Sequence, residues 1–361
     1  MTVTRKSLAA VGCALLLAVS VACGGSERAD VGTRARQSVD RLGEWEAVSV
    51  TARVEAPAGR VRDVLRRGRE RGARTVPSPD DARLLARTEV AFAFGADRPL
   101  REVDGDRLDT AAALSFGGPD LVGYKSIGTD FYVRVDWTGL AAETGDRHGT
   151  VARAVEQAET ADVLPPSLAA ARDLFRGRWV QIDPEEFDHF ARAVGGAYGE
   201  RAQRLANSVD LLQSAEAQHH LIGSVRRALD EHATFRDVGH ADGAERIDVL
   251  LPARALADDL SDALEPLAER FDGIGFTWLE EAPDREVTVE LELRGGTLSG
   301  MTVDLGQFLE EGPAEPDPLP LVLTFAPGQV VPVRAPGDAK WLDPQDVMAA
   351  VLYGELGSAA P

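Results

Sequence analysis

The chain has 361 residues, a formal net charge of −20, 44% apolar residues and only three lysines (Lys6, Lys125 and Lys340). So acidic a chain excludes nucleic acid as a partner, because phosphate binding needs basic surface to displace counterions. Its two cysteines, Cys13 and Cys23, both lie in the first 23 residues, which leaves no thiol pair for a disulfide-stapled domain further along.

Arg5 and Lys6 precede an uncharged run over residues 7–22. Its 16 residues fall short of the ~20 that cross a hydrocarbon core, so it reads as the apolar core of a signal peptide over residues 1–22. The run ends Val19-Ser20-Val21-Ala22-Cys23. Small residues before a lone cysteine resemble the bacterial lipobox, although Ser20 stands where that pattern usually carries Leu, Val or Ile. Cleavage that leaves a free thiol and an uncleaved short anchor are the alternatives; lipidation at Cys23 explains why an exported chain would begin on one unpaired thiol. Several buried acyl chains make such attachment durable. The expected location is the extracytoplasmic face of the cell membrane, with residues 23–34 as a small, polar tether.

Residues 45–56 (WEAVSVTARVEA) alternate Val48, Val50, Ala52 and Val54 with polar neighbours, which predicts a half-buried strand. A second strand over 88–95 places Val90, Phe92 and Phe94 on one face, and further strands are expected over 109–116, 121–127 and 130–137, the last two joined at Gly128-Thr129. Between the first two strands, an insert over 58–75 carries seven arginines, among them Arg62, Arg66, Arg67 and Arg69, with Val61, Val64 and Leu65 at helical spacing. It either meets an anionic surface, at roughly 1 kcal/mol per basic residue near headgroups, or is a solvated arm pairing with the chain's own carboxylates.

Helices are predicted over 150–161 and 167–176, then a short strand over 179–183. Asp183-Pro184-Glu185-Glu186 is a helix start, with an N-cap, Pro at N1 and acids at the positive end of the dipole. Helix continues to about His232, broken near Gly195-Gly196. A strand over 247–251, a helix from Pro252 carrying Leu256, Leu260, Leu264 and Leu267, and a strand over 276–279 follow. The clearest hairpin spans 286–305: Val287, Val289, Leu291 and Leu293 go out, Gly295-Gly296 turns the chain, and Leu298, Met301, Val303 and Leu305 return. Strands over 321–325 and 330–334 precede a closing helix from Asp343-Pro344 to about Tyr353. This order predicts an α+β fold, a large curved and mostly antiparallel sheet forming a half-open barrel, with helices over its concave face. The folded domain is expected over 35–336, with a C-terminal helix and tail over 337–361.

Chemistry-bearing motifs are sparse. His219 and His220 are adjacent on a helix and diverge by ~100°, and no carboxylate stands at a ligand spacing from His232. Asp104-Gly105-Asp106 lacks the spacing of a calcium loop. Glu185-Glu186 is explained by helix-start chemistry, and Glu280-Glu281 abuts a turn. There is no G-x-S-x-G elbow, Walker loop, post-strand G-x-G-x-x-G or H-E-x-x-H. A non-enzymatic protein without metal or cofactor is the expectation. Phe92, Phe94, Leu291, Leu293 and Met301 are first of all core residues, and would line a lipid cleft only if the concave face holds a void.

The lipobox, VSVTARVEA, FYVRVDW, IDVLLPARALADDL, the hairpin EVTVELELRGGTLSGMTVDL and VVPVRAP before a closing helix together resemble actinobacterial lipoproteins of the LppX/LprG and LolA-like class. The resemblance implies a half-open barrel that carries a lipid or lipoglycan through the envelope, and Cys23 is the one functional residue it transfers. A closed domain presented to an envelope protein partner is the alternative.

Overall fold

A computed structural model describes residues 26–69, 78–103, 108–145, 149–194, 227, 229, 231–270, 282–308 and 318–358. Among the described residues, twelve strands form one open sheet: β1 (Ala47–Val54), β2 (Glu89–Gly95), β3 (Asp109–Ser115), β4 (Val122–Ile127), β5 (Asp130–Val135), β6 (Val180–Ile182), β7 (Thr234–Ala241), β8 (Ala244–Pro252), β9 (Glu286–Arg294), β10 (Thr297–Asp304), β11 (Pro320–Pro327) and β12 (Lys340–Trp341). Their order across the sheet is β12-β6-β5-β4-β3-β2-β1-β11-β10-β9-β8-β7. Every pairing is antiparallel except β12 with β6. The expected α+β class with a large, curved, mostly antiparallel and unclosed sheet is what the chain adopts.

Among the described residues the α-helices are α1 (Ser26–Asp40), α2 (Ala58–Arg69), α3 (Pro79–Arg87), α4 (Trp137–Thr144), α5 (Thr150–Thr160), α6 (Ala169–Phe175), α7 (Pro184–Val194), α8 (Ala253–Arg270) and α9 (Pro344–Ser358), with short 3-10 turns between elements. Among the described residues, no helix is long and apolar enough to cross a membrane.

The β9–β10 hairpin shows how directly pattern becomes structure. Val287, Val289, Leu291 and Leu293 are buried on one face, while Gly295 (φ +58°) and Gly296 (φ +74°) supply the two left-handed positions of a tight turn. A bulge between Leu298 and Gly300 shifts the return strand, so Leu298, Met301 and Val303 all meet the same core.

Several elements differ from the sequence-based expectations. Residues 26–34, expected within a small, polar tether, belong to α1. Val31 and Ala35 pack on the sheet and Ser38 is buried beside them, so the docking face is made of small residues that give little hydrophobic signal. Arg34 reinforces the contact, 2.7 Å from Asp237 of β7 and 3.2 Å from Glu245 of β8. Trp137 opens α4 instead of ending β5, because the Asp136 carboxylate accepts the Gly139 amide at 2.9 Å as an N-cap. Helix α3 was not anticipated. Its signal is a capping box in which the Ser78 hydroxyl accepts the Asp81 amide and the Asp81 carboxylate accepts the Ser78 amide, with Pro79 at N1. Strand β7 was also missed, since its outward positions are exposed and mostly polar. Residues 330–334, expected as a strand, form a bent, unpaired strap across the back of the sheet. The expected strand over 276–279 and the break at Gly195-Gly196 lie outside the described residues.

Candidate functional site

Register alone builds one apolar surface across the sheet. Val48, Val50 and Ala52 stand opposite Phe94, Phe92 and Val90 on one side, and Val50 and Ala52 opposite Phe325 and Leu323 on the other. The same face continues through Met301 and Leu291 to Ile247 in one direction, and through Ala112, Tyr124, Val133 and Val180 in the other.

Two groups of helices cover this face. At the β7–β11 and β1 end, Val31 and Ala35 of α1 and Leu256, Ala257 and Leu260 of α8 close a large core. At the other end, Ala170, Ala171 and Phe175 of α6 and Ala350 of α9 pack on Phe131, Val180 and Ile182. The flank is held there by Asp173 of α6, which is buried and receives Lys340 of β12, with Arg178 at 3.5 Å.

Between the two groups the covering by the described helices is thinner. Phe92 and Phe94 of β2, Leu114 of β3 and Val122 and Tyr124 of β4 all point to this face, yet all are only half-buried. Tyr124 stacks on Phe131 with ring centroids 5.7 Å apart and bonds to the side chain of Thr110, its cross-face neighbour. Burial pushes the Tyr124 phenol above its ordinary pKa, the Thr110 bond opposing it, so this hydroxyl is a neutral donor and acceptor at the edge of an apolar wall.

The back of the same three strands is the sealed side. Ala91, Ala93, Ala111 and Ala113 are buried under Val331 and Val333 of the strap. Four methyl side chains in a block allow the strap's backbone to lie close. The Ser49 hydroxyl donates to Gly328 O and accepts from Val330 N, both at 2.7 Å. Lys125 donates to Arg334 O at 3.2 Å, and its ammonium sits 4.9 Å from the centroid of Trp179. The Arg134 guanidinium lies 5.6 Å from that ring. Burial, with Arg334 and Arg134 nearby, holds the Lys125 ammonium below its usual pKa. Trp179 crosses Gly123 so closely that an added Cβ would lie 2.9 Å from its ring. Thus over β2–β4 the back is sealed at least as tightly as the front, where Val90 and Ala112 are buried but the larger side chains are only partly so.

The five apolar candidates share one face but not one neighbourhood. Leu291, Leu293 and Met301 are 5%, 2% and 1% exposed inside the large core, and Phe94 packs against its border. Phe92 stands across β1, β11 and β10 from Leu291, a span of four strand steps, on the order of 19 Å. Leu114, Val122 and Tyr124, which sequence reading did not single out, are nearer companions of Phe92; their signal was the alternation in β3 and β4.

On α2, Val61 is fully buried against Ala82 and Leu319, which leaves Arg62 and Arg66 exposed. Arg66 lies 3.3 Å from Asp63, and Arg60 donates to Pro318 O at 3.2 Å. Arg67 and Arg69 lie on the same helix, and their side chains are outside the described residues, as are Cys23, His219, His220, Asp104, Asp106 and Glu280-Glu281. His232, which lacked a carboxylate in sequence, meets Asp259 of α8 at 2.6 Å.

No family model matches the chain, and no curated protein matches it. Among solved structures it is similar to lipoprotein LppX of Mycobacterium tuberculosis, with 10% identity over 81% of this chain and 92% of that one and a TM-score of 0.30. It is also similar to LprF of Mycobacterium bovis, with 10% identity over 86% of this chain and 97% of that one and a TM-score of 0.33.

Proposed function

We propose that this chain is a non-enzymatic envelope lipoprotein, anchored through Cys23, that binds a lipid-like amphiphile on the half-covered face of β2–β4. The observation that carries the reading is the contrast over those strands: alanines and a strap seal the back, while the large apolar side chains Phe92, Leu114 and Val122 stay half-buried on the front. Large apolar groups left partly wet between two closed cores fit an acyl chain better than water. The Tyr124–Thr110 pair offers a polar stop beside them. Exposed Arg62 and Arg66 on a helix seated by Val61 support contact between this end of the domain and anionic headgroups.

Native mass spectrometry on the chain purified without detergent from an envelope-bearing host tests the reading, with organic extraction of whatever remains bound. A stoichiometric lipid or lipoglycan mass is expected. A clean protein mass, unchanged after incubation with host lipid extract, would overturn it in favour of a domain presented to a protein partner.

A further inference from the structure

Leu229 is buried in the same core as Leu256 and Leu260 of α8. A helical turn follows it, closed by the Ala233 amide donating to Leu229 O at 2.9 Å, and the chain then enters edge strand β7. The apolar contact of Leu229 with the core therefore brings the end of this turn, Glu231 and His232, beside the outer side of α8. Asp259 stands there, its Oδ2 2.6 Å from His232 Nε2. One ligand atom from each of Glu231, His232 and Asp259 lies within 4.8 Å of the other two.

Neighbours on a helix diverge by ~100°, which is why adjacent side chains rarely share an ion. Here the turn ends at once, and the longer Glu231 side chain reaches round to the imidazole. Bonds of ~2.0–2.2 Å to nitrogen and carboxylate oxygen separate the ligands of a tetrahedral ion by roughly 3.5 Å. A donor group already gathered within 4.8 Å needs only side-chain rotation to reach that spacing. Exposed Asp258 and Asp262, on the same helix, deepen the negative potential around it.

We infer that Glu231, His232 and Asp259 form a binding site for one divalent cation of the zinc and nickel class. One imidazole with two carboxylates suits those ions, whereas magnesium and calcium select sites made of oxygen alone. Three protein ligands leave the remaining coordination positions to water. Bound there, the ion fastens edge strand β7 to α8 across the rim of the large core, and so stabilises the folded chain by mass action: at 100 times Kd the folded-to-unfolded ratio rises ~100-fold.

The test is isothermal titration of the full-length, untagged, chelator-stripped chain with zinc chloride, with magnesium and calcium chlorides as comparisons and thermal unfolding in parallel. One saturable zinc site is expected, together with a raised unfolding midpoint and no matching response to magnesium or calcium. Removing a ligand outright costs no less than the roughly 10–100-fold lost with an outer-shell partner, so H232Q, D259N and E231Q should each weaken zinc by at least about tenfold. H232Q retains a donor for Asp259 and guards against loss of fold. Absence of a saturable zinc site, or zinc affinity unchanged in H232Q and D259N, would overturn the inference.

Discussion

Phe92 and Met301 are both large apolar residues on the same sheet face, and truncating them should have opposite consequences. Met301 is 1% exposed within the large core. Met301→Ala should therefore cost the 2–5 kcal/mol of a buried truncation, about 3 kcal/mol, through lost transfer energy and the cavity left behind. Phe92 is only half-buried on β2, so Phe92→Ala should cost about half of the 3–5 kcal/mol typical of a core phenylalanine, roughly 2 kcal/mol. Binding reverses the ranking. A ring that offers roughly 80 Å² to an acyl chain contributes about 2 kcal/mol at 25 cal/mol/Å², or about 30-fold in affinity. Denaturant midpoints measured by circular dichroism, with affinities for a fluorescent fatty acid, separate the two effects. If Phe92→Ala destabilises the chain as much as Met301→Ala and leaves affinity unchanged, Phe92 is ordinary core and the open-face reasoning fails.

Gly123→Ala should force Trp179 off the back of β4, since the new Cβ would lie 2.9 Å from its ring. A cost of about 1–3 kcal/mol and an altered near-ultraviolet circular dichroism spectrum are expected. Neutralising the exposed arginines in the double variant R62Q/R66Q should weaken binding to phosphatidylglycerol vesicles by about 2 kcal/mol, ~30-fold, at low salt; sedimentation with vesicles checks this, and a salt-independent affinity would count against it. Asp237 is held below the ordinary carboxylate range, first by its hydrogen bond from Arg34 and then by the Gly239 amide. A depressed folded pKa adds stability above the unfolded value of 3.8 and loses it as pH falls through the folded value. The melting temperature of D237N should accordingly lie below that of the unsubstituted chain near pH 5 and converge on it as pH falls below 3.8 toward and through the folded value.

The periodicity of single segments was sufficient for most of the sheet. Alternation in residues 48–54 and 287–293, and the Gly295-Gly296 turn, became β1, β9 and β10, because a strand's inward positions are set by a period of two whatever its partners are. Helix starts at Pro184 and Pro344 were equally local, since caps are satisfied within four residues. Segments stabilised by distant contacts were another matter. Helix α1 docks through small residues and the ion pairs of Arg34, and β7 is a largely polar edge; neither carries a strong signal of its own. Residues 330–334 have the alternation of a strand but no strand to pair with, so they lie as a strap over alanines. The candidate site divides in the same way. Sequence marked Phe92 and Phe94 as inward-facing, but only helix placement decided that Leu291, Leu293 and Met301 are sealed while Phe92, Leu114 and Val122 are not. His232 and Asp259 stand 27 positions apart and meet only because Leu229 and Leu256 share a core. Which side chains of a strand point inward was legible in residue order, since it follows from backbone geometry. Which of those inward faces are filled was not, because filling depends on where helices joined by long connections come to rest.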